Sequence, residues 1–406
     1  MICKWYIMNC KGDYLKVIPI CFFMFIVSTV IAQSITEYSL FSLIAEDNKV
    51  IRLRILPNGQ IIDPLQQYTT LMDTNRITYD TNRKYLYVSC RGYGSPGGIN
   101  SFIIQNDGSL LPLETTTTNG GAYNQGAIRT TITPNNQLLI PITSTLSVVT
   151  NTVIYEVSST GQLTDTGNRF NRYGFPCVDP FGRVIISNDT ATIVISGNTT
   201  QAWVYDVYSI NYLTKTVTQT QVVPNSGSNI FDIRFPKSGT MGIVYGVDCD
   251  TSSHDLSVIW IDSFGNVTAP NLGFHVFANV YDVALLPNDQ YAYICGDTTI
   301  NLFSVNTITR TITDTGYRFR PPNGKTPFLF RLNDSGTFGV LLYVATDGLY
   351  WLTSAFINPS NGELTWTGYT FAIDSIYAGP GTGALDIQWV PVYATSIPSE
   401  LWGKLE

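Results

Sequence analysis

Ile99-Asn-Ser-Phe-Ile-Ile104 runs straight into Gln105-Asn-Asp-Gly108, an apolar strand that closes over a polar turn ending in glycine. The device returns along the chain. Leu56-Pro-Asn-Gly59, Ser158-Ser-Thr-Gly161, Asp262-Ser-Phe-Gly265 and Pro359-Ser-Asn-Gly362 share the glycine, and the variants Tyr212-Leu-Thr-Lys215 and Asn306-Thr-Ile-Thr309 fill the gaps. The glycines at 59, 108 and 161 stand 49 and 53 residues apart. The intervals 161 to 265 and 265 to 362 span 104 and 97 residues, so each holds two units. A period near 50 made only of strands marks a β-propeller.

Each unit reads as an inner strand, a polar turn, an apolar second strand, a variable loop, a third strand, the turn above and a fourth strand. The second strands are clearest: Tyr85-Leu-Tyr-Val88, Gln137-Leu-Leu-Ile140, Arg183-Val-Ile-Ile186, Gly242-Ile-Val-Tyr245, Tyr291-Ala-Tyr-Ile294 and Gly339-Val-Leu-Leu342. Such continuous apolar runs suit strands covered on both faces by neighbouring blades. No stretch carries a convincing helical period. Before Asn58-Gly59, Tyr38–Ala45 and Val50–Ile55 supply only the later strands of a unit. The missing inner strand stands at Ala384–Val392, which resembles Ile230–Phe235. The expected fold is therefore all-β: a seven-bladed propeller over residues 36–393, closed by a C-terminal inner strand joining the N-terminal blade, with a tail at 394–406. Closure removes the exposed edges of an open ring.

Residues 1–32 read as an export signal. Val17 to Ala32 is a 16-residue run without charge, with Val30 and Ala32 at positions −3 and −1 of a cleavage before Gln33. It is short for a membrane span; the alternative is an uncleaved signal anchor. No second run could cross a bilayer. Only 13% of the 406 residues are charged, about half the usual share. The net charge is −7, and −9 beyond residue 32, with no basic run. That argues against nucleic-acid binding and against electrostatic docking on anionic lipid. A secreted protein is expected. Outside the signal remain Cys90, Cys177, Cys249 and Cys295, without metal-ligand spacing, read as small buried hydrophobes or one disulfide. Four sequons, at Asn188, Asn198, Asn266 and Asn333, are glycosylation candidates.

Aligned on the turn that follows, the inner strands place Arg76, Arg129, Phe175, Asp232, Asp282, Phe328 and Asp386 at one level of the channel. In a protein so poor in charge, two arginines and three aspartates at the channel mouth are candidate ligand-binding groups, with Tyr173 and Tyr281 beside them. The alternative is mutual salt bridging that orients the inner strands. Asp248, Asp250 and Asp255 sit in the densest acidic loop and are candidate ligands for a calcium ion, although the loop lacks the glycine and distal glutamate of an EF-hand; a solvated loop is the alternative. No cofactor is otherwise implied. The two histidines, His254 and His275, fall in one unit, which disfavours a Ser-His-Asp triad or three-histidine metal site.

Pro134-Asn-Asn-Gln-Leu-Leu-Ile140 and Pro287-Asn-Asp-Gln-Tyr-Ala-Tyr-Ile294 resemble the repeated unit of seven-bladed lactonase-type propellers, the 6-phosphogluconolactonases and carboxy-muconate cyclases, related to YVTN propellers. The resemblance covers about residues 36–393. It implies His and Arg just before the inner-strand turn. Here the fourth unit has Tyr173-Gly-Phe-Pro-Cys-Val-Asp-Pro180 and the fifth Phe231-Asp-Ile-Arg-Phe-Pro236, so neither histidine carries over. The expectation is a lactonase-like propeller that binds a polar small molecule, or an extracellular protein or glycan, without the family's usual catalysis. The rivals are a lactone hydrolase or cyclase using Asp and Arg, and a structural or adhesive surface protein.

Overall fold

The computed structural model describes residues 35–44, 48–71, 74–90, 97–118, 127–133, 135–143, 150–172, 184–187, 190–198, 203–224, 229–236, 238–247, 256–269, 273–274, 280–322, 324–346, 348–373 and 386–393. All its regular elements are strands, and the fold is an all-β propeller. Six antiparallel sheets each come from one continuous stretch: sheet 2 (74–117), sheet 3 (127–172), sheet 4 (184–224), sheet 5 (229–274), sheet 6 (280–319) and sheet 7 (324–373). Sheet 1 is composite. Ile387–Tyr393 pairs antiparallel with Ile35–Ile44, which continues into Lys49–Ile55 and Ile61–Thr69.

The second strands are buried along their length, as Tyr85–Cys90 shows, while the fourth strand Leu110–Thr117 is largely exposed. Burial on both faces follows from sheet-on-sheet packing. Each apolar cluster lies between two consecutive sheets: Tyr87 and Leu139 between 2 and 3, Phe170 and Tyr208 between 3 and 4, Val207 and Ile259 between 4 and 5. Ile243 and Phe303 join 5 to 6, and Tyr293 and Phe330 join 6 to 7. Trp389 and Leu342 join 7 to 1, and Phe41 and Val88 join 1 to 2.

The turns lock this arrangement at the rim. Gly59, Gly108, Gly161, Gly265 and Gly362 all have φ between 71° and 89°, the left-handed conformation that glycine adopts without a Cβ penalty. In the variants that conformation falls on Lys215 and, one residue beyond the expected turn, on Arg310, both at φ 56°. The two loops are in fact equivalent: Asn211 and Asn306 pair with Thr216 and Thr311, and their Oδ1 atoms accept from Thr214 N and Thr309 N, so the second turn simply runs one residue later than expected. Every turn is gripped by a side chain of the preceding sheet. Ser354 Oγ donates to Gly59 O at 2.6 Å, Arg52 to Asp107 O, Tyr87 Oη to Gly161 O at 3.1 Å and Asn168 Nδ2 to Lys215 O at 3.1 Å. Gln221 exchanges two hydrogen bonds with Val267, Trp260 Nε1 donates to Arg310 O at 3.2 Å, and Tyr293 Oη to Gly362 O at 2.8 Å.

One strand assignment is corrected. In sheet 4 the run expected as the second strand is the edge strand, Val184–Ser187, and Thr190–Asn198 pairs beside it. Asn188-Asp189 is turn chemistry between two β-branched runs, so they pair as a hairpin. Tyr173 and Phe175 lie outside the described residues.

Candidate functional site: the central channel

The inner strands carry a repeated irregularity. The register with the second strand shifts just before Arg76, Arg129, Asp232 and Asp282, so these four are equivalent by backbone geometry. Sheet 7 departs from the expectation. Gly324–Leu332 has two register shifts, and the second puts Leu329, not Phe328, at this level. Each bulge adds a residue that sequence spacing does not reveal. Leu329 is buried in the core, while Phe328 stacks on Tyr281 at 5.2 Å.

Asp282 is fully buried and saturated with donors. Its Oδ2 accepts from Arg331 Nη1 at 2.5 Å and Phe330 N at 2.9 Å; its Oδ1 accepts from Arg234 Nη2 and Tyr245 Oη, both at 3.2 Å. Asp386 repeats the arrangement two sheets on. Oδ2 accepts from Ile77 N at 3.1 Å, and Oδ1 accepts from Arg331 Nη2 at 3.2 Å, with Arg76 Nη1 at 3.6 Å. Each aspartate thus clasps a backbone N–H of the next sheet's inner strand. Together they form an alternating chain, Arg234–Asp282–Arg331–Asp386–Arg76, across five consecutive sheets.

Burial works against the Asp282 charge, but Arg331, Arg234 and the Phe330 N–H outweigh it and hold the carboxyl below the usual carboxylate range. Burial likewise opposes charge on Arg331, and Asp282 and Asp386 more than restore it, leaving its pKa raised. Burial, with Asp282 nearby, pushes the Cys295 thiol well up. Cys295 and Cys90 are buried free thiols; Cys177 and Cys249 lie outside the described residues.

Beside this chain lies a cavity of about 390 Å³. Its walls include Arg76, Arg234, Arg331, Asp386, Thr131 and Gln388. On the inner strands of sheets 2, 3, 5, 6 and 7 the lining residues come from the half nearest the inner turn. The cavity therefore sits on the inner-turn side of the charged level, deeper than the mouth where the strands begin. Arg234 and Arg331 escaped the sequence alignment because they stand two residues past that level on their strands, on the same face. The signal available was a lone arginine in each apolar run, Ile230–Phe235 and Phe328–Leu332. At the inner-turn face Arg83 ion-pairs with Asp334 and lies over the Tyr79 ring at 5.0 Å. That pair spans from sheet 2 to sheet 7, past the composite sheet.

Of the other expected site residues, Arg129 and Asp232 are placed by their backbone only. Tyr281 is half-buried against Phe328 and does not line the cavity. Asp248, Asp250, Asp255 and Asn188 lie outside the described residues, and Asn198 is placed by its backbone in Thr190–Asn198. Among the described residues no group of three His, Cys, Asp or Glu is placed to hold a metal ion. Asn266 is exposed, its Nδ2 donating to Asp262. Asn333 does not suit a glycan: it is 3% exposed, its Nδ2 donates to Tyr38 Oη, and its Oδ1 accepts from Thr337 N and Phe338 N. Among the described residues no helix is long and apolar enough to cross a membrane.

No family model matches the sequence, and no curated protein matches it by sequence. The fold, however, is similar to that of lactonase-like propellers. A candidate 6-phosphogluconolactonase from Bacteroides uniformis superposes with a TM-score of 0.64 at 15% identity, over 87% of this chain and 100% of its own. The periplasmic gluconolactonase of Pseudomonas aeruginosa gives 0.60 at 15% identity, over 88% and 99%. A protein from Lactobacillus plantarum gives 0.61 at 13%, over 87% and 99%. At such identities the likeness is one of fold.

Proposed function

We propose that this chain is a secreted, seven-bladed lactonase-like propeller that binds a polar ligand in its central channel without the catalysis usual to such lactonases. The carrying observation is the 390 Å³ cavity walled by Arg76, Arg234, Arg331 and Asp386 in a protein only 13% charged. The pairing of Ile387–Tyr393 with Ile35–Ile44 supports closure of the ring through sheet 1. The apolar run before Gln33, and a periplasmic protein among the structural neighbours, support export.

Asp282 is a poor general base. A base works best with a pKa near the operating pH and reach to its substrate. Asp282 has a lowered pKa, no exposure and four donors already upon it. Its geometry suits holding sheets together. The test is a thermal-shift screen of neutral sugars, sugar acids, sugar phosphates and simple lactones, with lactone turnover assayed in parallel. A ligand-induced rise without turnover is expected. Turnover abolished by Asp282→Asn, with folding retained, would replace this reading by a hydrolase.

A further inference from the structure

Away from the channel, the rim carries an apolar feature. Among the described residues the three most exposed large hydrophobic side chains are Ile308, Phe264 and Leu213, at 91%, 79% and 74%. All three stand on turns between third and fourth strands, in the consecutive sheets 4, 5 and 6. Pro57, Asn106, Ser159 and Ser360 hold the place of Leu213 and Ile308 in sheets 1, 2, 3 and 7. In sheet 5 that place is Ser263, and Phe264 follows it. These turns lie on the inner-turn face. The end of the third strand bonds there to the inner turn or its flank: Ile104 N to Lys84 O in sheet 2, Ile261 N to Thr240 O in sheet 5, Val305 N to Gln290 O in sheet 6. Exposed apolar side chains gathered on one face mark an interaction surface.

The tips are built to leave water. Asp262 Oδ1 accepts from Phe264 N at 2.8 Å, Asn306 Oδ1 from Ile308 N at 3.0 Å and Asn211 Oδ1 from Thr214 N at 2.9 Å. An unpaired N–H entering an apolar layer is costly, and these caps remove that cost. The side chains sit on separate turns rather than along one strand. A bilayer interface receives projecting side chains at any spacing, whereas a protein partner would need a matching pit for each.

The chain itself enters the propeller at this face. Ile35 pairs with Tyr393, at the inner-turn end of the composite sheet's inner strand. The uncharged run Val17 to Ala32 ends two residues short of Gly-free Ser34's neighbour Ile35, so the segment read as an export signal leads into the same face as the tips. With a net charge of −7 and no basic run, anionic headgroups are not the attraction. Apolar insertion at the interface is.

We infer that the inner-turn face of sheets 4 to 6 is a docking surface for a phospholipid bilayer, with Leu213, Phe264 and Ile308 inserted among the headgroups. The hold is apolar and reversible, and zwitterionic lipid is enough for it.

Sedimentation of the secreted protein with phosphatidylcholine vesicles tests this. Binding is expected, and high salt or added phosphatidylserine should change it less than twofold. Leu213→Ser, Phe264→Asn and Ile308→Ser give these tips the residues found in sheets 3 and 7. Each should weaken binding about tenfold, as the loss of one inserted side chain requires. The triple variant should lose binding altogether and keep its thermal midpoint, since the replaced side chains are exposed. Val222→Ser, equally a loss of an exposed apolar group but at the far end of the fourth strand of sheet 4, should change binding less than twofold. Absence of vesicle binding in the wild type overturns the inference. So does binding that the triple variant retains, which puts the hold elsewhere, in residues 17–32 if they stay attached. Self-association of the wild type without vesicle binding, abolished in the triple variant, overturns it in favour of a second copy of this chain. None of these outcomes bears on the channel.

Discussion

The sheets are fastened twice, and the two fastenings differ in kind. At the rim, with the exception of Arg52, neutral side chains such as Tyr87, Ser354 and Tyr293 grip turn carbonyls of the next sheet. At the channel, Asp282 and Asp386 grip backbone N–H groups while arginines neutralise them. Neutral grips are each worth about 1 kcal/mol and leave nothing over. Buried ionic grips are intolerant of losing a partner, because the remaining charge is stranded. They also place charged side chains, Arg76, Arg234, Arg331 and Asp386, on the wall of a cavity. The inner fastening is therefore the one that can double as a binding surface.

The largest test removes an inner strand altogether. Truncation of residues 384–406 deletes Ile387–Tyr393, with buried Trp389, and the Asp386 clasp. Loss of cooperative thermal unfolding is expected by calorimetry; an unchanged midpoint would show that sheet 1 does not bind the propeller together. Next comes Asp282→Ala, expected to cost about 3–5 kcal/mol in denaturant unfolding, since it leaves Arg331 and Arg234 short of a partner. Its pH dependence has a definite sign. The native pKa is lowered, so the stability contributed by Asp282 is fully present above the unfolded value of about 4. It is lost as pH falls below that, through the native value. The gap between the wild type and Asp282→Asn should accordingly narrow below about pH 4 and stay constant above pH 5.

At the rim, Gly161→Ala should cost about 2–3 kcal/mol, combining left-handed backbone strain with a clash. A Cβ there would stand 2.3 Å from the Tyr85 ring. Gly167→Ala, at φ 77° with open space around it, should cost only about 1 kcal/mol and isolates the docking part. Equal losses in the two variants would mean that the turn does not press on sheet 2. The smallest effect is expected for Arg83→Ala, under about 1 kcal/mol, because Asp334 is 66% exposed and the pair is screened.

How much was legible depends on the range of the physics involved. A left-handed turn is a local demand, so Gly59, Gly108, Gly161, Gly265 and Gly362 declared themselves, and Lys215 did so at a distance set by the same period. The pairing of 387–393 with 35–44 was foreseeable because a unit lacking an inner strand and a spare inner strand stood at opposite ends. Sheet 4 was misread because apolar runs of strand length do not state which neighbour they pair with. In sheet 7 one extra residue at a bulge moved Phe328 off the expected level and Leu329 onto it.

The candidate site shows the same division. Sequence alone determined that charge gathers on the inner strands, since Arg76, Asp282 and Asp386 stand out in strands otherwise apolar. Only the tertiary structure decided what that charge does. Asp282 and Asp386 became clasps, Arg331 became the bridge between them, and the cavity opened two residues deeper, beside Gln388. The reason is that strand spacing specifies which residues share a face, whereas the partner of a buried charge is set by bulges and by the sheet next door.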